Sequence, residues 1–303
     1  MTTEITHNTA KVGDVTLHYV ETGAGRDDTL LLLHGYPEFW YCWKDQLPVL
    51  GREFHTVAPD MRGYNLSDKP DGIKAYKIRH LIADVIGLAD HLGKDEFYLA
   101  AHDWGAAIAW AVAIAHPDRI KGLVILNGPH PYIFAELLAR DAEQIEHSQY
   151  MAYFQNEGIE EKMLADNCRR IMDWTFAKHV ESGVLSEEDA DAYRTAWRKP
   201  GALKSMLNYY RASPLVPAEK ADPDGPGSGL DPENFRVHVP TRVVWGEEDH
   251  ALTKKNLIGL EKLVPDLEIV TVPGVTHWIT HEAPDRVNSE ISGFIKKLKA
   301  RAA

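Results

Sequence analysis

Residues 98–105 read Tyr-Leu-Ala-Ala-His-Asp-Trp-Gly and run directly into Ala106 to Ala115, a stretch without a single charge. A short apolar strand that turns sharply into a helix apolar on every side cannot face water on either element. It predicts a layered α/β domain in which the strand is buried on both faces and the helix is sealed beneath it. The turn has a small-x-acid-x-small pattern, with Ala101 and Gly105 flanking Asp103. Small neighbours let such an elbow lift its central side chain clear of the sheet. A serine there would attack carbonyl carbon. A carboxylate suits displacement at a saturated carbon, because the aspartyl ester it forms can be hydrolysed back, whereas a serine ether resists cleavage.

The remaining chain repeats the strand-helix alternation. Apolar runs at Thr29 to Leu33, Phe54 to Ala58, Phe97 to Ala101, Leu123 to Leu126, Thr241 to Trp245 and Leu267 to Val272 are separated by helical stretches. They predict a mostly parallel sheet with helices on both faces. Val15 to Val20 alternates around His18 and reads as part of a hairpin entering the sheet. Gly23-Ala24-Gly25 lacks the third glycine of a dinucleotide loop, and Asp27-Asp28 would repel phosphate. Between Pro131 and Phe235 the strand pattern stops. Ser186 with Asp189 reads as a capping box opening a helix through Trp197, and Lys199-Pro200-Gly201 separates it from a second helix through Arg211. Asp222-Pro-Asp-Gly-Pro-Gly-Ser-Gly then reads as a flexible linker; its spacing fails as a calcium loop. The division is 1–130 and 236–303 as one discontinuous core, with 131–235 as an inserted helical cap.

Composition narrows the partners. The net charge of −12 lacks the basic footprint of a nucleic-acid binder. The longest apolar run is half the roughly 20 residues that span a bilayer, so no membrane is expected. The N-terminus shows no secretory signal, and Cys42 and Cys168 are too few for a disulfide framework, so a reducing cytoplasm is the expected setting.

A nucleophile at a strand end needs a base. His277, in Gly-Val-Thr-His-Trp just after the last apolar run, fits, and an acid of Gly-Glu-Glu-Asp-His after the preceding run would orient it, Asp249 being preferred over Glu247 and Glu248 on position in the motif alone. The chain order is then nucleophile, acid, base. His277 and His281 stand four apart, as metal ligands on a helix could, but Pro284 follows closely and no zinc-site pattern accompanies them. His34-Gly35-Tyr36-Pro37 follows another strand, and the N–H groups of Tyr36 and Trp104 are the expected oxyanion donors.

His-Gly-Tyr-Pro-Glu-Phe-Trp-Tyr-Cys-Trp at 34–43, Asp-Met-Arg-Gly-Tyr at 60–64, His-Asp-Trp-Gly at 102–105 and Pro-His-Pro at 129–131 resemble the soluble epoxide hydrolases of the α/β-hydrolase superfamily over nearly the whole chain. The resemblance implies an α/β-hydrolase fold and conversion of an epoxide and a catalytic water to a vicinal diol through an aspartyl ester. It implies neither cofactor nor metal. Epoxide opening releases an alkoxide that needs a proton donor, and family members supply two cap tyrosines. Tyr153-Phe154-Gln155 and Asn208-Tyr209-Tyr210-Arg211 resemble the segments carrying them, which assigns Tyr153 and Tyr210, with Tyr209 as the rival to Tyr210. Trp104, Tyr153 and Tyr210 are then also the expected substrate contacts. Haloalkane dehalogenases share the triad motifs and stand as the alternative enzyme; a ligand-binding protein on the same fold is the non-enzymatic one. The preferred epoxide and the oligomeric state, a homodimer among the options, are not written in the sequence.

Overall fold

Eight strands form a single sheet in the computed structural model, which describes residues 4–302; Met1 to Thr3, the start of the N-terminal stretch read above, lie outside the described residues. The strands are β1 (Thr6–Val12), β2 (Val15–Thr22), β3 (Thr29–Leu33), β4 (His55–Pro59), β5 (Phe97–His102), β6 (Ile120–Leu126), β7 (Thr241–Gly246) and β8 (Leu267–Val272). Their order in space is β1-β2-β4-β3-β5-β6-β7-β8. The β1–β2 and β2–β4 pairs are antiparallel and the rest of the sheet is parallel. Two strand runs match the sequence reading residue for residue, the run read from Phe54 to Ala58 is shifted by one residue, and the others extend by one to three residues. β1 was not foreseen: most of its residues are exposed, so it lacks the apolar run that announces the central strands.

Helix α1 (Leu47–Leu50) lies between β3 and β4, α2 (Ile78–His91) between β4 and β5, and α3 (Asp103–Ala115) between β5 and β6. Seven helices then stand between β6 and β7: α4 (Pro131–Arg140), α5 (Ala142–His147), α6 (Gln149–Tyr153), α7 (Ile159–Thr175), α8 (Ala177–Glu181), α9 (Glu187–Trp197) and α10 (Ala202–Ala212). After β8 come α11 (Ile279–Glu282) and α12 (Pro284–Ala302).

The pleat of the central strands divides the apolar residues into two cores. Leu30 and Leu32 of β3, with Tyr98 and Ala100 of β5, pack against Leu47 and Leu50 of α1 and Ile291, Phe294 and Ile295 of α12. Leu31, Leu33, Leu99 and Ala101 face the other way, toward Trp110 and Val112 of α3 and onward into the cap. Each buried leucine of this kind contributes about 1.5–3 kcal/mol of transfer free energy. Both faces of β3 and β5 are thus covered, and the elbow between β5 and α3 opens toward the cap side.

Among the helices between β6 and β7, the Ser186 hydroxyl accepts from the Asp189 N–H while the Asp189 carboxylate accepts from the Ser186 N–H, closing the expected capping box on α9. The segment read as a flexible linker is tied down. Asp222 N–H donates to the Ala139 carbonyl, Ser228 N–H to Glu136 Oε1, and Arg140 Nη2 to the Gly225 carbonyl. Its Pro and Gly residues shape a path along α4 rather than a free tether. Among the described residues no helix is long and apolar enough to cross a membrane. Cys42 and Cys168 are buried and unpaired.

Candidate active site

Asp103 is the first residue of α3 and has a φ of 51°, a left-handed backbone that non-glycine residues adopt only when their surroundings hold them there. Glycine at two positions makes that possible. A Cβ on Gly105 would lie 2.4 Å from the Leu33 carbonyl oxygen, and one on Gly35 would lie 2.2 Å from Asp103 Oδ1. The Tyr36 N–H therefore reaches Asp103 Oδ1 at 2.6 Å. The Trp104 N–H stands in the first turn of α3, where the helix supplies no acceptor and its dipole favours negative charge. His34 orients the Tyr36 N–H. Met61 N–H donates to His34 Nε2 at 2.9 Å, so the ring proton sits on Nδ1 and is given to the Gly35 carbonyl at 3.0 Å. That carbonyl belongs to the same peptide plane as the Tyr36 N–H, which is turned toward Asp103.

His277, in the loop after β8, presents Nε2 to Asp103 Oδ2 at 3.4 Å and gives Nδ1 to Asp249 Oδ2 at 2.7 Å. Asp249, after β7, is held in turn by the N–H groups of Ala251 and Leu252 on Oδ1 and by Asn127 Nδ2 on Oδ2. Burial would raise the Asp249 pKa, but His277 and these donors outweigh it and hold the carboxyl below its usual value. Burial would lower the pKa of His277; the Asp249 and Asp103 carboxylates overcome it and hold the ring well above an ordinary histidine. Esterification of Asp103 would remove one of those two charges and return the ring toward its basic, unprotonated form. Asn127 had no signal in the sequence, being a single polar residue past the end of β6. His281, weighed beside His277 as a metal ligand, instead turns its Nε2 to Glu38 Oε1 at 2.8 Å.

Near Asp103 the helices between β6 and β7 supply aromatic residues. Tyr210 of α10 is 4% exposed and stands edge-on to Trp104 and Tyr36, with ring centres 5.1 and 5.3 Å away. Burial and the charge of Asp103 push its hydroxyl pKa up, which keeps the phenol protonated. Tyr209 donates its hydroxyl to the Arg62 carbonyl at 2.7 Å, so the rival to Tyr210 is occupied in packing.

Tyr153 is not brought to the same place, and this corrects the sequence assignment. Its hydroxyl accepts from Arg170 Nη1 at 3.0 Å in an exposed setting, and its ring lies on Trp174, itself 49% exposed. Three residues earlier, Tyr150 packs against Phe154 and Tyr210 with ring centres 5.7 and 5.9 Å away. Burial, then the charges of Asp103 and Asp249, push its hydroxyl pKa far up. Neither the Tyr150 nor the Tyr210 hydroxyl has a protein hydrogen-bond partner among the described residues, so both are available to a ligand. No local signal separated Tyr150 from Tyr153, because both lie in a helix of only five residues, too short for a repeated apolar stripe. The arrangement combines a carboxylate held by amide donors, a histidine-carboxylate pair and two phenols on the opposite wall. Such a set can open a strained ether and then hydrolyse an ester.

A family model for the alpha/beta hydrolase fold matches residues 28–284. AB hydrolase superfamily protein YfhM of Bacillus subtilis (strain 168) is 36% identical over 93% of this chain and 95% of that protein. Epoxide hydrolase 2 of Caenorhabditis elegans is 33% identical over 96% of this chain and 80% of that protein. A crystal structure of Bacillus megaterium epoxide hydrolase in complex with an inhibitor superposes with a TM-score of 0.85 at 33% identity, covering 95% of this chain and all of that one. The elbow, the sheet that carries it and these relatives agree: the chain belongs to the epoxide hydrolases of the α/β-hydrolase superfamily.

Proposed function

We infer that the protein hydrates an epoxide to a vicinal diol in two covalent half-reactions, with residues 131–235 acting as a cap over the core. The observation that carries this reading is the division of Asp103 between two partners. Oδ1 accepts from the Tyr36 amide at 2.6 Å, while Oδ2 faces His277 Nε2 at 3.4 Å. A carboxylate so held can attack with one oxygen and keep its carbonyl polarised afterwards.

In the first half-reaction an Asp103 oxygen attacks one ring carbon from the side opposite the departing oxygen. The carbon-oxygen bond of the epoxide breaks, and the emerging alkoxide takes a proton from Tyr150 or Tyr210. The product is a hydroxyalkyl ester of Asp103. The ester no longer carries the charge that raised both phenols, which eases the proton's departure.

In the second half-reaction His277, held by Asp249, takes a proton from water as the water attacks the ester carbonyl. The Tyr36 and Trp104 N–H groups receive the oxyanion. Collapse breaks the acyl-oxygen bond, the His277 proton goes to the diol oxygen, and the proton released as Asp103 returns to carboxylate restores the tyrosine. One water is consumed and no redox change occurs.

A single turnover in water enriched in heavy oxygen tests the order of events. The diol should emerge unlabelled and the label should reside on Asp103, because the new diol oxygen comes from the old carboxylate. Labelled diol in the first turnover would mean direct attack by water.

A further inference from the structure

The loop that carries Asp249 is held by a side chain that neither half-reaction uses. Gln144 of α5 is 0% exposed and reaches from the helices between β6 and β7 to the loop after β7. Its Oε1 accepts from the Thr253 N–H at 3.0 Å, from the Thr253 hydroxyl at 3.1 Å and from Asn256 Nδ2 at 2.8 Å. Its Nε2 donates to the Ala251 carbonyl at 2.9 Å and to the Ser148 hydroxyl at 2.9 Å. A main-chain N–H can only donate and a carbonyl can only accept, so Thr253 and Ala251 fix which end of the amide is oxygen and which is nitrogen. Both hydrogens of the amide and its oxygen are thereby engaged.

One peptide group joins this amide to the catalytic pair. The Ala251 carbonyl, which accepts from Gln144, and the Leu252 N–H, which donates to Asp249 Oδ1 at 2.9 Å, lie in the same peptide plane. The planes on either side are held as well: Ala251 N–H donates to Asp249 Oδ1 at 2.8 Å, and Thr253 N–H goes to Gln144. A peptide plane is rigid, so the direction of the Leu252 N–H follows from where Gln144 holds the Ala251 carbonyl. Asp249 Oδ2 is then left to His277 Nδ1 at 2.7 Å and to Asn127 Nδ2 at 2.8 Å. The order is Gln144 amide, Ala251–Leu252 peptide, Asp249 carboxylate, His277 ring, and hydrogen bonds in such a series polarise one another. A second tie joins the same two segments at the partly exposed rim. Lys255 Nζ pairs with Asp141, which caps α5, at 2.7 Å and with Glu143 at 2.8 Å.

We propose that Gln144 is a positioning residue for ester hydrolysis: it sets the Ala251–Leu252 peptide against Asp249 and so aims the carboxylate that orients His277. The proposal rests on the reading of His277 as the base of the second half-reaction. Attack on the ester requires Nε2 of that ring to face the water while Nδ1 stays on Asp249, and the ring turns when the carboxylate turns. Ring opening makes no such demand, because its proton comes from a phenol. Loss of the Gln144 amide should therefore separate the two half-reactions. The bond to Ser148 also reaches the start of α6, which bears Tyr150. That turn has main-chain bonds of its own, Met151 N–H to the Ser148 carbonyl and Ser148 N–H to the Gln144 carbonyl, both at 2.9 Å, so Tyr150 keeps its seat without the amide. Since α5 belongs to the segment read as the cap, the aim of the catalytic acid depends on that segment being seated on the core.

Gln144→Met keeps the length of the side chain and removes every bond its amide makes. In single turnovers, ester hydrolysis should fall by about 10-fold while ester formation changes by no more than about twofold. The low-field proton resonance of His277 Nδ1–H, identified by its loss in His277→Gln, should be displaced. Lys255→Met removes only the tie at the rim and should leave both rates within about twofold and the resonance in place. Equal slowing of the two half-reactions in folded Gln144→Met, or an unmoved His277 resonance, would overturn the proposal and leave Gln144 a stabilising residue only. If Gln144→Met does not fold, Gln144→Glu carries the same test, because a carboxylate keeps the acceptor contacts and loses the donation to the Ala251 carbonyl. Should neither fold, hydrogen exchange in the unmutated protein decides. The Leu252 and Thr253 amides should be protected as those of β7 are, and free exchange there would mean that Gln144 does not hold the acid loop. If no alkyl-enzyme forms in the unmutated protein, the covalent reading fails, while the His277 resonance still decides whether Gln144 aims Asp249.

Discussion

The two walls of the site are built by different means. On the core wall, Asp103 directly follows β5, Asp249 lies shortly after β7 and His277 shortly after β8, so each side chain hangs from the carboxyl end of a parallel strand. Main-chain amides finish the work: Tyr36 N–H on Asp103, and the Ala251 and Leu252 N–H groups on Asp249. On the cap wall, Tyr150 sits in a helix of five residues and Tyr210 in one of eleven. They are positioned by packing of aromatic edges and by Arg211, which donates to the Phe154 and Asn156 carbonyls and pairs with Glu160. Charged groups that exchange protons need directions fixed by backbone, whereas a phenol that must reach an oxygen somewhere above Asp103 tolerates a position set by packing. The core wall should therefore fail sharply when altered and the cap wall by degrees.

The most severe loss expected is at His277. His277→Gln should still open epoxide but not hydrolyse the ester, lowering turnover by about 10⁴-fold or more. Intact-protein mass spectrometry should show one equivalent of epoxide retained on the peptide containing Asp103. A folded variant that forms no adduct would remove His277 from the second half-reaction alone.

On the cap wall, Tyr150→Phe and Tyr210→Phe should each slow ester formation by about 10²-fold, at the low end for lost acid catalysis because the other phenol remains. The double variant should approach the loss seen at His277, but without accumulating ester. Stopped-flow tryptophan fluorescence would follow the alkylation step. If the double variant opens epoxide at the unmutated rate, the cap wall contributes shape and no proton.

A smaller effect is expected at Asn127, which joins the walls of the core site without touching substrate. It donates to Asp249 Oδ2 at 2.8 Å and accepts from the Gly246 N–H at 2.8 Å. Its φ is 38°, so Asn127→Gly removes the side chain without backbone strain. Losing bonds to a buried carboxylate should lower stability by about 1–3 kcal/mol and ester hydrolysis by roughly 10-fold. Thermal unfolding and single-turnover kinetics separate the two, and unchanged hydrolysis in a destabilised protein would make Asn127 a scaffold residue only.

The same contrast explains what could be read in advance. The central strands were legible because burial on both faces demands unbroken apolar runs, and the meeting of Asp103, Asp249 and His277 followed because each trails such a run. β1 was silent: Thr6 to Thr9 are polar, and its pairing with β2 is main-chain bonding that any side chains permit. Asn127 and Gln144 were silent as partners, since a hydrogen bond between residues far apart in sequence leaves no local pattern. In the cap, the existence of α9 and α10 could be read from their caps and breaks. Which tyrosine faces inward could not, because in a helix of five residues the ring's direction is set by tertiary packing and not by a repeated stripe.

Tyr153 provides the smallest expected effect and the sharpest check on that last point. Tyr150 and Tyr153 lie within one short helix, three residues apart, yet one faces Tyr210 and the other Arg170 and Trp174. If direction decides role, Tyr153→Phe removes only an exposed hydrogen bond to Arg170 and should change ester formation by no more than about twofold, with stability altered by less than about 0.5 kcal/mol. Arg170→Ala should behave the same way, because its guanidinium meets the Tyr153 hydroxyl and not the site. A loss of about 10²-fold in Tyr153→Phe, of the size expected from Tyr150→Phe, would mean that the helix turns over when substrate enters and that Tyr153 supplies the proton after all.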